Sequence, residues 1–273
     1  MGTLYLVATP IGNLEDITLR ALRVLNQVRM IAAEDTRHTR KLLSHYHISV
    51  PLLSYHEHNK DPRLSAILSA LSEGDVALVS DAGTPGLSDP GYELVRASLQ
   101  AGHQVTPIPG PSAPVAALVA SGLPTDAFVF VGYLPRKTSE RRRLLLELAR
   151  ERRTLLAFEA PHRLRQTLAD LRQIFGEARP TALCRELTKV HEEILRGTLG
   201  EVAEVFRTRE PRGEITLVIG GPGEGQAWEE ARVRDALGEQ IALGSSPSEA
   251  ARLVAAQAGW PRRTVYRMAL ESR

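Results

Sequence analysis

Short apolar runs recur along the first part of the chain, at residues 4–8, 28–33, 51–54, 75–80 and 104–108, each the length of a buried strand. The stretches between them carry helical spacing; Leu64, Ile67, Leu68 and Leu71 fall at i, i+3, i+4 and i+7. Strands alternating with helices of this length predict βαβ units and a mostly parallel sheet. An apolar helix starting near Ser112 runs into the turn-rich SGLPTD at 121–126, where a boundary is expected.

A second block opens with strand-like FVFVGYL (128–134) and TLLAF (154–158), separated by a charged helix over 138–152. Leu164, Leu168, Leu171 and Phe175 keep helical spacing, and TALCREL (181–187), EEILRGTL (192–199) and GEITLVIGG (213–221) read as further strands. The last two are too far apart for a tight hairpin, so a helix is expected between them. This block is again α/β, with room for a mixed sheet. After the linker GGPGEG (220–225) strand character stops. Residues 246–270 have a serine start, an alanine-rich helix, a break at Gly259 and Pro261 at a second helix start, with Val265, Met268 and Ala269 on one face. That is helix-turn-helix patterning. The expected organisation is α/β: domains at 1–121 and 122–222, and a helical tail at 223–273.

Composition narrows the class. With 273 residues, 43% hydrophobic, 24% charged and a formal net charge of +2, the chain can bury one large core or two smaller ones, and disorder is excluded. No apolar run approaches the ~18 residues of a membrane span. Met1 leads directly into a strand-like run with no basic region before it, so no secretory leader is expected. Cys184 is the single cysteine, which excludes a disulfide framework or a cysteine zinc site. A soluble cytoplasmic protein is the expectation.

The loops expected at strand carboxyl ends draw attention next: TPIGNLED (9–16), EDTR (34–37), SDAGTPGLSDPG (80–91) and PGPSAP (109–114). Ligands of open α/β sheets bind at such ends, and small residues let backbone approach them closely. A cleft is expected, yet neither G-x-G-x-x-G nor a P-loop follows any of these strands. His45, His47, His56 and His58 lack aligned carboxylates, so no metal is expected.

Cationic side chains are skewed: 30 Arg against 4 Lys. Heat adaptation or coding bias accounts for a total of that kind; arginine is also the better bidentate phosphate ligand, so placement matters more than number. Residues 136–153 hold eight Lys or Arg against three Glu, and 247–273 hold five Arg against two Glu. A solvated helix with Glu147 and Glu151 pairing along it is the plain alternative for the first cluster.

LVATPIGNLEDIT (6–18), EDTR, SDAGTPGLSDPG, PIPGPSAP (107–114), VGYLPRK (131–137), FEAPHR (158–163) and RELTKVHEE (185–193) occur in one order. Together they resemble the tetrapyrrole methylase superfamily, and within it the ribosomal RNA small-subunit methyltransferase I family, over essentially the whole chain. The resemblance implies two α/β domains with S-adenosylmethionine in the interdomain cleft, usually in a homodimer. It implies 2′-O-methylation of cytidine 1402 in 16S ribosomal RNA of the small subunit. The superfamily's Gly-Pro-Gly-Asp loop matches Pro10-Ile11-Gly12-Asn13, with a charge lost at Asn13 and a cofactor wall kept at Ile11. Its Gly-Gly-Asp-Pro loop matches Asp81-Ala82-Gly83-Thr84, with the carboxylate shifted. Further cofactor positions match Ser112, Ala113, Glu159 and Leu187.

Transfer to a ribose hydroxyl is helped by a base or a nearby cation. Asp35, Glu159, Glu186 and Lys189 at strand ends are the candidates, with His162 behind them; ion pairs such as Asp35 with Arg37 or Glu186 with Arg185 are the competing account. RNA phosphates would fall to Arg37, Arg136, Lys137, Arg141, Arg142, Arg262, Arg263 and Arg267. Two other functions compete: methylation of a small tetrapyrrole, and a non-enzymatic ligand sensor whose tail binds DNA.

Overall fold

A computed structural model describes residues 2–57, 59–222, 230–242, 244–258 and 260–271. The first half runs β1 (Thr3–Val7), a 3-10 turn (Leu14–Asp16), α1 (Leu19–Gln27), β2 (Met30–Ala33), α2 (Thr36–His45), β3 (Leu52–Ser54), α3 (Lys60–Glu73), β4 (Val76–Val79), α4 (Tyr92–Gln100) and β5 (Gln104–Ile108). The five strands pair in parallel, in the order β3-β2-β4-β1-β5. Helices cover both faces of this sheet, which explains why its strands read as unbroken apolar runs. Ile31, Ala33, Ala77 and Val79 face the layer of α1 and α2, packing with Leu25 and Leu43. Ala32, Val76 and Leu78 face the other way, onto Ile67, Leu71 and Leu94 of α3 and α4.

Strand ends stop where a better partner competes. Val28, expected in β2, instead caps α1 by donating its N–H to Val24 O. Asp75, expected in β4, accepts the Thr3 N–H at 2.7 Å.

The second half runs α5 (Ala113–Ser121), β6 (Phe128–Tyr133), α6 (Thr138–Leu148), β7 (Thr154–Glu159), a 3-10 turn (Pro161–Arg163), α7 (Leu164–Phe175), β8 (Pro180–Arg185), β9 (Glu193–Thr198), α8 (Leu199–Thr208) and β10 (Ile215–Ile219). Its order is β6-β7-β10-β8-β9; β6 and β7 are parallel and the other pairs antiparallel, the mixed sheet that the pattern allowed. The helix expected between the last two strands is α8, started by a Thr198–Glu201 capping box. Leu155, Ala157, Leu183 and Leu217 pack under α6, α7 and α8. Their neighbours Leu156, Ala182, Cys184 and Val218 face the opposite layer, where Ala117 and Leu118 of α5 meet them with Ile11 from the first half. Thus α5 follows the first sheet in sequence but covers the second. Burial pushes the Cys184 thiol up to about 11, so it serves as packing.

Three further helices, α9 (Glu230–Ala242), α10 (Pro247–Ala258) and α11 (Arg262–Glu271), share a core of Val233, Leu237, Val254, Val265 and Met268. Gly259 and positions 223–225 of the linker lie outside the described residues. Among the described residues no helix is long and apolar enough to cross a membrane.

Candidate active site between the two sheets

The loops after β1 and β4 are knitted by a two-way bridge: Thr9 N–H donates to Gly83 O at 2.8 Å and Gly83 N–H to Thr9 O at 3.0 Å. Gly83 has φ +78°, which a side chain resists, and a Cβ there would lie 3.4 Å from Ile11 Cγ2. The bridge therefore fixes Ile11 against one wall of an open cavity of about 330 Å³. Glu34 just after β2, Asp81 and Asp89 from the β4 loop, and Ser112 and Ala113 at the start of α5 line it from the first half. Tyr133, Phe158, Glu159 and the segment 213–216 line it from the second.

The two halves also touch through the loop after β8. Glu186 (φ 52°) and Thr188 (φ 66°) hold left-handed backbone that only surrounding bonds sustain. Glu186 N–H donates to Glu214 O at 3.0 Å, Thr188 N–H to the Glu192 carboxylate at 2.6 Å, and Asn13 N–H crosses to Thr188 Oγ1 at 3.1 Å. The turn at Glu186 is why the strand expected to reach residue 187 stops at Arg185.

Of the expected cofactor positions, Ile11, Asp81, Ala82, Gly83, Ser112, Ala113 and Glu159 line the cavity. Pro10 faces a neighbouring cavity, and Leu187 packs behind Ile11 in the apolar cluster. The expected bases sit in other settings. Asp35 caps α2 and pairs with Arg37 at 2.7 Å, outside the lining, and the guanidinium holds its carboxyl far below the usual range. Glu186 binds Lys189 at 2.9 Å and the Glu214 N–H at 2.9 Å, and the Lys189 ammonium lowers its pKa. Lys189 also reaches Glu214 at 3.3 Å. Glu186 and Lys189 are outside the lining and meet it through Glu214; Arg185 pairs with Glu193. His162 is exposed and does not line the cavity.

Glu159 does line it, but only 2% of the residue is exposed and both oxygens are engaged. Oε1 accepts from Ala160 N–H at 2.7 Å and meets Arg163 at 2.5 Å, while Oε2 accepts the Thr167 hydroxyl at 2.5 Å. Such a carboxylate positions the loop, with both oxygens already taken by protein partners.

Besides the expected Asp81, two acids that the sequence did not single out, Glu34 and Asp89, line the cavity. Burial raises the Glu34 pKa, helped by the charge of Asp81, against the Asp81 N–H hydrogen bond that lowers it. Burial, then the charge of Glu34, raises Asp89 to about 6. Asp89 follows Ser88, itself left-handed at φ 67°. Its motif was visible in the sequence; that Asp89 joins Asp81 in the lining depends on this backbone turn.

Comparison with known proteins bears on this geometry. Residues 3–203 match the family described as Tetrapyrrole (Corrin/Porphyrin) Methylases, a span that ends within α8 and holds the cavity lining except for the segment 213–216. The chain belongs to the tetrapyrrole methylase family. It is similar to ribosomal RNA small subunit methyltransferase I of Synechocystis, 50% identical over 274 residues that cover 99% of this chain and 98% of that one. The protein of the same name from Bacillus subtilis is 44% identical, covering 97% and 93%. In fold it is similar to cobalt precorrin-4 methyltransferase, at TM-score 0.62 and 19% identity, covering 80% of this chain and 94% of that one. It is likewise similar to uroporphyrin-III C-methyltransferase of Thermus thermophilus complexed with S-adenosyl homocysteine, at TM-score 0.56, 23% identity and coverage of 80% and 97%. This tetrapyrrole methylase is an enzyme of the methyltransferase class.

The methylase's cationic residues divide by environment. Arg141, expected on RNA, is 1% exposed and cannot reach it: Nε and Nη2 bind Asp170 Oδ2 at 2.8 and 2.6 Å beneath α7. Helix α6 turns that position inward because Asp170 waits there. Arg142 shares Asp170 from outside at 2.8 Å, and Lys137 pairs with Glu140 at 3.1 Å. The helix ends at Leu148, so Glu151 pairs with Arg153 rather than along it. Arg136, Arg262, Arg263 and Arg267 are exposed; Arg262 donates to Ser248 Oγ at 3.2 Å. Among the described residues no group of three or more His, Cys, Asp or Glu is arranged to hold a metal, and His58 lies outside them.

Proposed function

We propose that this methyltransferase carries the methyl group of S-adenosylmethionine to the ribose 2′-hydroxyl of cytidine 1402 in 16S ribosomal RNA, acting on the small ribosomal subunit. The observation that carries the reading is the near-full-length identity of 44–50% to proteins named ribosomal RNA small subunit methyltransferase I. The cavity suits the cofactor: about 330 Å³, with apolar Ile11, Ala113 and Phe158 for a base and the acidic Glu34, Asp81 and Asp89 for a cationic centre. Bound there, S-adenosylmethionine supplies an electrophilic methyl on a sulfonium.

The chain's own residues would do the rest. Main chain at 81–83 and 112–113 orients, and alignment of the acceptor oxygen supplies much of the rate. Asp89 Oδ, in the cavity lining, is assigned as the proton acceptor for the ribose hydroxyl, and burial makes it a stronger base than an ordinary carboxylate. The pair Glu186–Lys189 would place a cation where negative charge develops. Two copies working in the cytoplasm complete the reading, with exposed Val115, Val119 and Val190 as apolar surface for a second copy.

The test is transfer of tritium from labelled S-adenosylmethionine into unmodified small subunits, followed by mapping of the methylated nucleotide. Label on the ribose of cytidine 1402 is expected. Label on a porphyrinoid precursor with none on RNA would replace the reading by small-molecule methylation.

A further inference from the structure

A second cavity of about 220 Å³ adjoins the first, lined by Thr9, Pro10, Leu14, His38, Lys41 and Leu42, with Thr39, Ser80 and Asp81 completing the lining. Asp81 belongs to both cavities, and the loop that presents Ile11 to one presents Pro10 to the other. Its walls are built. Thr9 Oγ1 donates to Ser80 O at 3.2 Å, and the Tyr46 hydroxyl at the end of α2 holds Leu14 O at 2.7 Å. At liquid density the space equals roughly seven waters, the size of one pyrimidine or sugar ring.

The helix beside it is cationic on one side. Helix α2 holds no acid; Thr39, Leu42 and Leu43 are buried, and Arg37, His38, Arg40 and Lys41 are exposed. Arg37 is oriented by a two-point bond to Asp35, Nε–Oδ1 3.1 Å and Nη2–Oδ2 2.7 Å, with 85% of its side chain still exposed. Among the described residues Arg40 and Lys41 bind no acid, unlike Lys137, Arg141, Arg142 and Arg153 of the larger cluster.

We infer that this second cavity and the exposed face of α2 form an RNA-strand subsite, which rests on the proposed activity. The cavity takes the base or sugar of a nucleotide neighbouring the acceptor, and Arg40 and Lys41 bind its flanking phosphates. The carboxylate of Asp81 in the lining keeps phosphate out of the cavity itself and offers an acceptor to a hydroxyl or amine. Apolar Pro10, Leu14 and Leu42 suit the faces of a ring, while Lys41 lines the cavity and Arg40 stands further round the exposed face of α2, within reach of the next phosphate along a strand. The division matches how RNA single strands are held, with rings in pockets and phosphates on cations.

The test compares wild type with Arg40→Ala/Lys41→Ala and with His38→Trp, which puts a ring at the cavity mouth and leaves both cations. A labelled single-stranded oligonucleotide spanning the methylation site, cytidine monophosphate and whole small subunits are the probes. For the double variant the expectation is roughly tenfold weaker oligonucleotide binding, and a log K against log salt slope flatter by about 1.4, ~0.7 per lost phosphate. The KM for subunits should rise, with S-adenosylhomocysteine affinity and unfolding midpoint unchanged. His38→Trp should weaken RNA binding at an unchanged slope. Unaltered RNA affinity and slope in the folded double variant would overturn the subsite, as would tighter binding of the mononucleotide than of the strand. If wild type binds RNA by these residues yet methylates nothing, the proposed activity falls and the subsite stands; normal methylation with unaltered slopes sinks the subsite alone.

Discussion

Thr9 and Gly83 exchange both backbone hydrogen bonds, at 2.8 and 3.0 Å, across the gap between two adjacent parallel strands. This one bridge closes the loops after β1 and β4 into a single wall, with Ile11 on the main cavity and Pro10 on its neighbour. Position 83 can join it only at φ +78°.

Gly83→Ala tests that wall. A left-handed non-glycine costs about 1–2 kcal/mol, and the loop can escape only by breaking the bridge. Affinity for S-adenosylhomocysteine, measured by calorimetry, should fall roughly 5–30-fold. Native affinity would show that the bridge does not set the cofactor wall.

Asp89→Asn separates chemistry from stability. If Asp89 takes the proton, methylation by wild type rises as pH passes about 6, and the variant is slow throughout with no such inflection. Stability runs the other way. The folded pKa is raised above the unfolded value, so the native state holds the extra proton between about 4 and 6 and loses stability as pH rises across that window. Asp89→Asn should therefore melt higher than wild type at pH 7–8. Equal pH–rate profiles would remove Asp89 from the mechanism.

Glu159→Gln should act on folding first. The change leaves Arg163, 15% exposed in its side chain, facing a neutral group. Breaking such a buried pair costs about 3–5 kcal/mol, read as a lower denaturant midpoint. A variant of native stability with a large loss in kcat would restore Glu159 as a catalytic group.

Arg141→Ala and Arg142→Ala should differ although they are neighbours. Loss of Arg141 leaves Asp170, 2% exposed in its side chain, without its main partner, at about 3–5 kcal/mol. Loss of Arg142, 48% exposed, should cost under about 1 kcal/mol. Urea unfolding distinguishes them, and equal midpoints would contradict the burial argument.

The ten strands and the helix between β9 and β10 were legible because burial and alternation leave their signature locally, in runs and spacings. Their ends were less so: Val28 and Glu186 leave their runs for backbone bonds that spacing does not encode. The loops with chemistry were legible as glycine- and proline-rich segments, and most of their expected cofactor positions face one cavity. The roles of charged side chains were not. Asp35 and Asp89 stand in equally suggestive loops, yet one is tied to Arg37 outside the cavity and the other faces it. Arg141 and Arg40 are both helical arginines in basic stretches; Asp170, 29 residues away, draws one inside and leaves the other to solvent. Hydrophobic patterning is set by near neighbours in sequence, so the chain alone determined the architecture. A charge takes its meaning from partners and burial that come together only on folding, so only the tertiary structure decided which acids and cations face the site.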